Sequence, residues 1–421
     1  MEQEIIRASK EIDVQHLWSL SRLLCETLDL AAGVDLEAHR DHRLDRQPER
    51  GRIGVPREVK DHEYRVAITP SGVRELTLRG HQVYVEQHAG EGSLISDADL
   101  KLAGAEILER ASDVWATADL LLKVKEPLET EYPLLREGQV LFTYLHLAAS
   151  KLCTDALLAS RTTAVAYETV GSPDGTFPLL APMSEVAGRL APQVGAYHMM
   201  RALGGRGILP GGVPGTRPAQ VVIIGAGVAG MNAALVAQGM GAEVTLLDLS
   251  LERLRDASWT LEGRVKTMAS SSYELERQAC NADLLIGAVL VPGARAPKLV
   301  TNELVSQMRT GSVLVDISID QGGCFEDSRP TSHSDPTFNV HRSVFYCVAN
   351  MPGAVPETST YALTNATLPR VLALADSGWR EAMRDDPFLA AGLNAHDGRL
   401  YNAPVAQAHG WPCSPVTGLL G

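Results

Sequence analysis

Gly225, Gly227 and Gly230 stand in the run VVIIGAGVAGMNAALVAQGMGAEVTLLD, which closes on Asp248. The β-branched Val221–Ile224 leads straight into the glycines, an Ala-rich helical stretch follows, and Glu243–Leu247 reads as a second strand. A strand that turns through glycines into a helix leaves unpaired backbone N–H groups at the positive end of the helix dipole, where a pyrophosphate binds. Gly225 permits the tight turn, Gly227 lets the phosphates approach the backbone, and Gly230 lets helix and strand pack closely. An acidic residue about 20 positions on, here Asp248, can take both hydroxyls of an adenosine ribose. A glycine triplet alone also serves turns and tight packing. Triplet, strand, helix, second strand and terminal Asp together specify a dinucleotide site.

Outside this run, Arg65 (HEYRVAITP) lies just after the first expected strand, and Lys125 (LLLKVKEP), His146 (FTYLHLAA) and Asp320 (VDISIDQGG) each lie where a strand is expected to end. Ligands of open α/β sheets bind beyond the carboxyl ends of strands, so a site is expected at these positions. The residue types suit a small amino or keto acid. Arg65 offers a planar fork for a carboxylate. Lys125 is a second cation for the keto oxygen or the other carboxylate edge. His146, with an ordinary pKa of about 6.5, is the natural proton carrier when a hydride moves at a carbon bearing N or O. Asp320 could orient water or stabilise a cationic iminium by charge. Each also has a structural reading. An Arg after a strand often pairs at the surface, and a His among apolar residues is commonly a satisfied core group. Asp320 before Gln-Gly-Gly could cap a turn, and Lys123 competes with Lys125. His62, His198 and His333 are read as structural or surface residues.

The surrounding pattern is strand–helix alternation from Arg52 onward: RIGVP, a helix over Ser71–Arg79, then strands at Gln82–Glu86, Asp119–Val124, Gln139–Tyr144 and Thr163–Tyr167. Met183–Leu203 reads as a long helical stretch broken by Pro192, and the Gly-rich GGRGILPGGVPG as a bridge into the unit that starts at Val221. Later strands are expected at Ala282–Val289 and Ser312–Asp320, and a helix from Tyr361 to about Trp379 should return the chain to the first unit. Ahead of all this, Ile12–Ala32 has leucines near helical spacing, and Arg40–Arg50 is charge-dense and reads as a linker.

Composition sets the outer limits. With 421 residues and 45% hydrophobic content, two or three domains are expected. A net charge of −13 argues against a general nucleic-acid binder. No apolar run approaches the length of a membrane span, and no basic n-region with an apolar core marks a secretory signal. Its 6 cysteines lack the spacing of a zinc cage or a disulfide framework, so free thiols in a reducing cytoplasm, and no metal, are expected.

The longer stretches are recognisable. RIGVPREVKDHEYRVAITPSGV, LLLKVKEP, LFTYLHLAAS, PMSEVAGRLAPQVGAYH, VIIGAGVAG, IGAVLVPGARAPKLV, DISIDQGGCFE and YCVANMPGAVPETSTYALTNAT together resemble the alanine dehydrogenase family, almost without interruption from Arg52 to near Leu393. The resemblance implies an α/β fold of two Rossmann-like, doubly wound domains. A discontinuous substrate domain would take residues 51–178 and 357–421, and an NAD-binding domain residues 179–356. Residues 1–50 form an extension outside the resemblance, and the tail after His396 matches little.

It also implies NAD as cofactor, L-alanine, pyruvate and ammonium as substrates, and a homohexamer. Carried over by motif, Arg65 and Lys125 would hold the substrate carboxylate and carbonyl, with Tyr144 and Glu168 lining the same side. His146 would act as acid and base, and Asp320 would assist water attack and ammonia release. Ser184, Asp248 and the loop of Val348, Asn350 and Met351 would contact the cofactor. Arg253 stands where the family often has Lys; it would favour a 2′-phosphate, whereas Asp248 would repel one. The related nucleotide-binding subunit of proton-translocating transhydrogenase lacks the histidine of FTYLHLAAS, so His146 favours the dehydrogenase. A catalytically silent dinucleotide-binding protein would have no use for Arg65, Lys125, His146 and Asp320 together.

Overall fold

A computed structural model describes residues 51–171, 175–289 and 296–420. The expectations for Ile12–Ala32, Arg40–Arg50 and Cys25 fall outside the described residues.

Parallel strands that are covered on both faces read as nearly continuous apolar runs, and the central strands here do so. The first group is β1 (Arg52–Val55), β2 (Gln82–Glu86), β3 (Glu106–Leu108), β4 (Leu120–Leu122), β5 (Val140–Thr143) and β6 (Thr163–Ala166). The second is β7 (Gln220–Ile224), β8 (Glu243–Asp248), β9 (Lys266–Ala269), β10 (Leu284–Gly287), β11 (Val313–Asp316), β12 (Thr337–Val340) and β13 (Ser343–Tyr346). Two short strands follow, β14 (Leu393–His396) and β15 (Arg399–Leu400). Every residue of β4, β5, β6, β10 and β11 is buried.

The first sheet runs β15-β14-β6-β5-β4-β1-β2-β3 and the second β12-β13-β11-β10-β7-β8-β9. Within each lies the doubly wound order 3-2-1-4-5-6, read as β3-β2-β1-β4-β5-β6 and β9-β8-β7-β10-β11-β13. These strands pair in parallel, while β12 on β13 and β14 on β6 are antiparallel additions. The strand order reverses between β1 and β4 in the first sheet and between β7 and β10 in the second. At such switch points the flanking crossovers diverge and leave a crevice. Because β14 and β15 join the first sheet, that sheet is built from two separate stretches of chain.

Two helices link the sheets. Ala181–His198 runs unbroken through Pro192 and ends before a separate 3-10 turn at Arg201–Leu203. The expected break does not occur because packing outweighs the lost hydrogen bond. Pro192 is buried, and the helix lies so close to β10 that a Cβ on Gly195 would meet Leu284 at 2.6 Å. The return helix, Pro356–Asp385, starts on a proline at its first position, where no N–H is needed, and therefore begins earlier than periodicity indicated. It bends at Gly378, whose φ of 74° is left-handed. Its Leu363, Val371 and Leu374 sit in the core of the first sheet. No helix among the described residues is long and apolar enough to cross a membrane.

Candidate active site

Arg65 follows β1 and Lys125 follows β4, so the two cations flank the switch point of the first sheet; His146 follows the adjacent β5. Arg65 is only 2% exposed. Its Nε donates to Glu63 Oε1 at 2.7 Å and its Nη2 to Glu63 Oε2 at 2.5 Å, a bidentate pair. The same Nη2 donates to Asn350 Oδ1 at 2.6 Å, and Asn350 Nδ2 donates to Glu63 Oε2 at 2.9 Å. Asn350 follows β13 and has a left-handed backbone, φ 67°. A residue of the second sheet thus closes on the cation of the first. Arg65 Nη1 is left facing Met183 Sδ at 2.9 Å, a weak acceptor that a carboxylate can replace. Burial alone would raise the Glu63 carboxyl, but the Arg65 guanidinium, helped by Lys125, holds it below the usual carboxylate range. Sequence reasoning missed Glu63 and the contact role of Met183. The spacing of Glu63 and Arg65 was the available signal, since residues two apart on an extended segment share a face.

The two competing lysines separate cleanly. Lys123 is fully buried, its Nζ 3.1 Å from Glu58 Oε2 and 2.9 Å from Glu131 Oε1. Burial would lower its pKa, but these two carboxylates raise it, so it stays charged as part of a closed ionic cluster. Glu58 also accepts the backbone N–H of Val124 at 2.6 Å, which fixes the strand exit. The Lys125 ammonium has no ion pair among the described residues. It acts at longer range on Glu63 and on Glu126, which burial would raise but which Lys60, Lys125 and His146 bring below its ordinary value.

His146 takes a left-handed backbone, φ 48°, as the chain leaves β5 for the 3-10 turn Leu147–Ala149. Its half-buried ring stacks on Tyr144 with centroids 6.0 Å apart and planes 8° off parallel. Neither ring nitrogen has a hydrogen-bond partner among the described residues. Tyr144 is buried and donates its hydroxyl to the Leu179 carbonyl at 2.6 Å; burial pushes its phenol well above the ordinary value. Glu168 does not present a free carboxylate. Its Oε1 accepts from His146 N at 2.6 Å and both its oxygens from Leu145 N at 3.2 Å. It shapes the backbone that carries His146.

At the switch point of the second sheet the glycines differ in what surrounds them. Gly225 has φ 104° and lies against the Ala288 carbonyl, while a Cβ on Gly230 would collide with the Gly225 carbonyl. Gly227 has nothing within 4 Å of where its Cβ would stand, an open approach to the helix Val228–Gly239. Asp248 ends β8, and its Oδ2 accepts from Ala226 N at 2.6 Å in the glycine turn, with Ser250 N on Oδ1 at 2.7 Å. A carboxylate has about four lone-pair sites, so hydroxyl donors can still be accepted. These residues fit a dinucleotide. Arg253 is exposed in the next helix, Leu251–Thr260. Ser184 sits in the first turn of Ala181–His198, beside Met183. Val348 is fully buried and Met351 nearly so. Gly227→Ala is expected to weaken NADH binding at least tenfold, read by fluorescence titration, with an unchanged urea midpoint, because its φ of −77° suits alanine and only a ligand fills that space. Unaltered NADH affinity would remove Gly227 from the site.

Asp320 departs from expectation. Strand β11 ends at Asp316, and Asp320 lies exposed in the 3-10 turn Ile317–Gln321. The chain leaves the sheet early because buried Asp316 accepts from Ser318 N at 3.0 Å, Cys324 N at 2.9 Å and Ser328 Oγ at 2.5 Å, and so folds the segment back. The structure gathers Arg65, Glu63, Met183 and Asn350 into one bonded cluster, and joins Tyr144, His146 and Glu168 in a second. Asp320, Asp248 and Arg253 touch neither cluster among the described residues.

Comparison with known proteins bears on both sheets. The alanine dehydrogenase/PNT N-terminal domain matches residues 54–187, and the alanine dehydrogenase/PNT C-terminal domain residues 191–403. The chain is 65% identical over 355 residues to an alanine dehydrogenase of Mycolicibacterium smegmatis, across 84% of this chain and 96% of that one. It is 63% identical over 369 residues to an alanine dehydrogenase of Mycobacterium tuberculosis, across 88% of this chain and 100% of that one. A solved L-alanine dehydrogenase superposes with a TM-score of 0.82 at 50% identity, covering 85% of this chain and 99% of that one. The transhydrogenase of Sinorhizobium meliloti shares the fold, with a TM-score of 0.72 at 24% identity over 83% of this chain and 99% of that one. Matched in both halves and closely related along most of its length, this chain belongs to the alanine dehydrogenase/PNT family.

Proposed function

We propose that this chain catalyses the reversible oxidative deamination of L-alanine: L-alanine, water and NAD⁺ give pyruvate, ammonium, NADH and a proton. The observation that carries this reading is that Arg65, Lys125 and His146 follow the neighbouring strands β1, β4 and β5, with Asn350 from the loop after β13 bonded to Arg65 and no hydrogen-bond partner on the His146 ring among the described residues. NAD⁺ would supply the hydride acceptor; Gly225, Gly227 and Gly230 would hold its pyrophosphate and Asp248 its ribose. By the family resemblance, Ser184, Arg253, Val348 and Met351 would line the same cofactor site.

Arg65 binds the substrate carboxylate through its Nη1 edge, while Glu63 fixes the opposite edge of the guanidinium. Lys125, the uncommitted cation, polarises the carbonyl oxygen. His146 takes a proton from the attacking water and returns one to the departing amine. Tyr144 sets the ring plane of His146. Asp320, exposed on the turn after β11, assists the water and the release of ammonia once the lobes close. The substrate lobe then comprises residues 51–178 and 357–421, and the NAD lobe residues 179–356. A cytoplasmic location accompanies this reading, supported by the free thiols of Cys153, Cys280, Cys324, Cys347 and Cys413, and a homohexamer accompanies it on the family resemblance alone.

The test is loss of NADH absorbance with pyruvate and ammonium, repeated with each omitted. Turnover that needs all three is expected; NADH binding without turnover would overturn the reading. Arg65→Lys keeps a cation beside Glu63 but loses the planar fork. Its pyruvate KM is expected to rise about tenfold or more, in line with the roughly 1.5–3 kcal/mol of a hydrogen bond to a charged group, with kcat changed less. An unmoved KM would take Arg65 out of the carboxylate site.

A further inference from the structure

We infer that His409, in the C-terminal tail, is a positioning residue for His146. The inference rests on the reading of His146 as the acid–base group. A left-handed backbone is uncommon for a residue with a β-carbon and is kept in place by its hydrogen-bonded surroundings, and His146 has φ 48° and ψ 37°. Glu168 restrains the N-terminal side of this bend through the amides of Leu145 and His146. On the C-terminal side, the carbonyl of Leu147, the next residue, accepts from His409 Nε2 at 2.8 Å, with Thr154 Oγ1 at 3.2 Å. A ring nitrogen facing a carbonyl must carry the proton, which sets the tautomer of His409. The backbone around His146 is therefore clamped from both sides by side chains that do not themselves face the substrate.

The tail is built to hold His409 there. Helix Ala403–His409 is capped by the Asn402 side chain, which accepts from Val405 N at 3.2 Å, and ends on Gly410 in a left-handed turn, φ 69°. Trp411 N donates to the Ala406 carbonyl at 2.9 Å, and Ser414 N to the Leu400 carbonyl at 2.8 Å, tying the tail to β15. The His409 ring packs against Trp411, with centroids 5.3 Å apart, and Lys151 Nζ lies 4.7 Å from the centre of that indole. Val405 and Ala406 enter the same apolar cluster as Leu145 and Leu147. A segment that matched little by motif thus ends against the bend that presents the imidazole.

The experiment compares His409→Ala and His409→Gln with the wild-type full chain, by kcat, pyruvate KM, NADH affinity and hydrogen exchange of residues 144–150. His409→Ala is expected to lower kcat about 10–100-fold, since small misplacements of a reacting group carry penalties of that order. Pyruvate KM and NADH affinity should stay within about twofold, and faster exchange should be confined to the bend. Glutamine, whose amide can also donate to the Leu147 carbonyl, should restore most of kcat. An unchanged kcat, or kcat, KM and NADH affinity falling together with exchange raised across the lobe, would overturn the inference. A wild-type chain without turnover would instead sink the reading of His146; the exchange data would still decide whether His409 holds the bend.

Discussion

His146→Ala is expected to lower turnover about 10²–10⁴-fold, the contribution of a well-placed general acid and base, while NADH binding stays near wild type. The argument rests on what the ring does not do. A histidine kept for structure looks like His81, whose Nδ1 accepts from Gly51 N at 3.2 Å and whose Nε2 meets Asp376 Oδ1 at 2.8 Å, with its side chain fully buried. His146 is half-exposed, stacked on one face by Tyr144, and held by its backbone rather than its ring. Its nitrogens have no hydrogen-bond partner among the described residues. Removing the ring should therefore leave the fold and the glycine turn intact. The measurement pairs steady-state rates with NADH fluorescence titration. If NADH affinity fell along with turnover, the imidazole would be part of the scaffold and not of the chemistry.

Lys123→Met should lower stability by about 3–5 kcal/mol, seen as a lower urea midpoint, because it strands two buried carboxylates. Among the described residues Glu58 and Glu131 lose the only ammonium at bonding distance, and Glu58 also anchors the Val124 amide. Lys125→Met is expected to do the opposite. Its ammonium is in no ion pair among the described residues, so the midpoint should hardly move while pyruvate KM rises. Comparing the two variants in urea and in the pyruvate assay checks the assignment. A stable Lys123→Met protein, or a Lys125→Met protein as destabilised as Lys123→Met, would contradict it.

Both lysines lie in the same LLLKVKEP run at the same parity along the chain, so local pattern treats them alike. What separates them is a pair of carboxylates, one of them Glu58, from far along the chain just after β1. The aspartates of VDISID behave similarly. Asp316 is consumed by the turn it organises, and Asp320 is left exposed. The sequence pattern carried the strand on to Asp320, whereas β11 ends at Asp316, because the donors that fold back on Asp316 come from residues 318–328 in space.

The sequence by itself determined the alternating strands and helices, the glycine turn into Val228–Gly239, and the strand exits near Lys125 and His146, with Arg65 in the segment after β1. These follow from local rules: apolar runs for parallel strands covered on both faces, glycine where a turn or a close approach forbids a β-carbon, and short crossovers that fix the doubly wound order. Only the tertiary structure decided that the helix Ala181–His198 runs through Pro192, that Glu63 and Asn350 hold Arg65, that Glu168 serves a backbone, and that the C-terminal tail reaches the His146 bend. Each of those is a contact between segments distant in sequence or a burial that outweighs a local preference. Charge pairing and packing depend on three-dimensional distance, which no pattern of neighbours along the chain encodes.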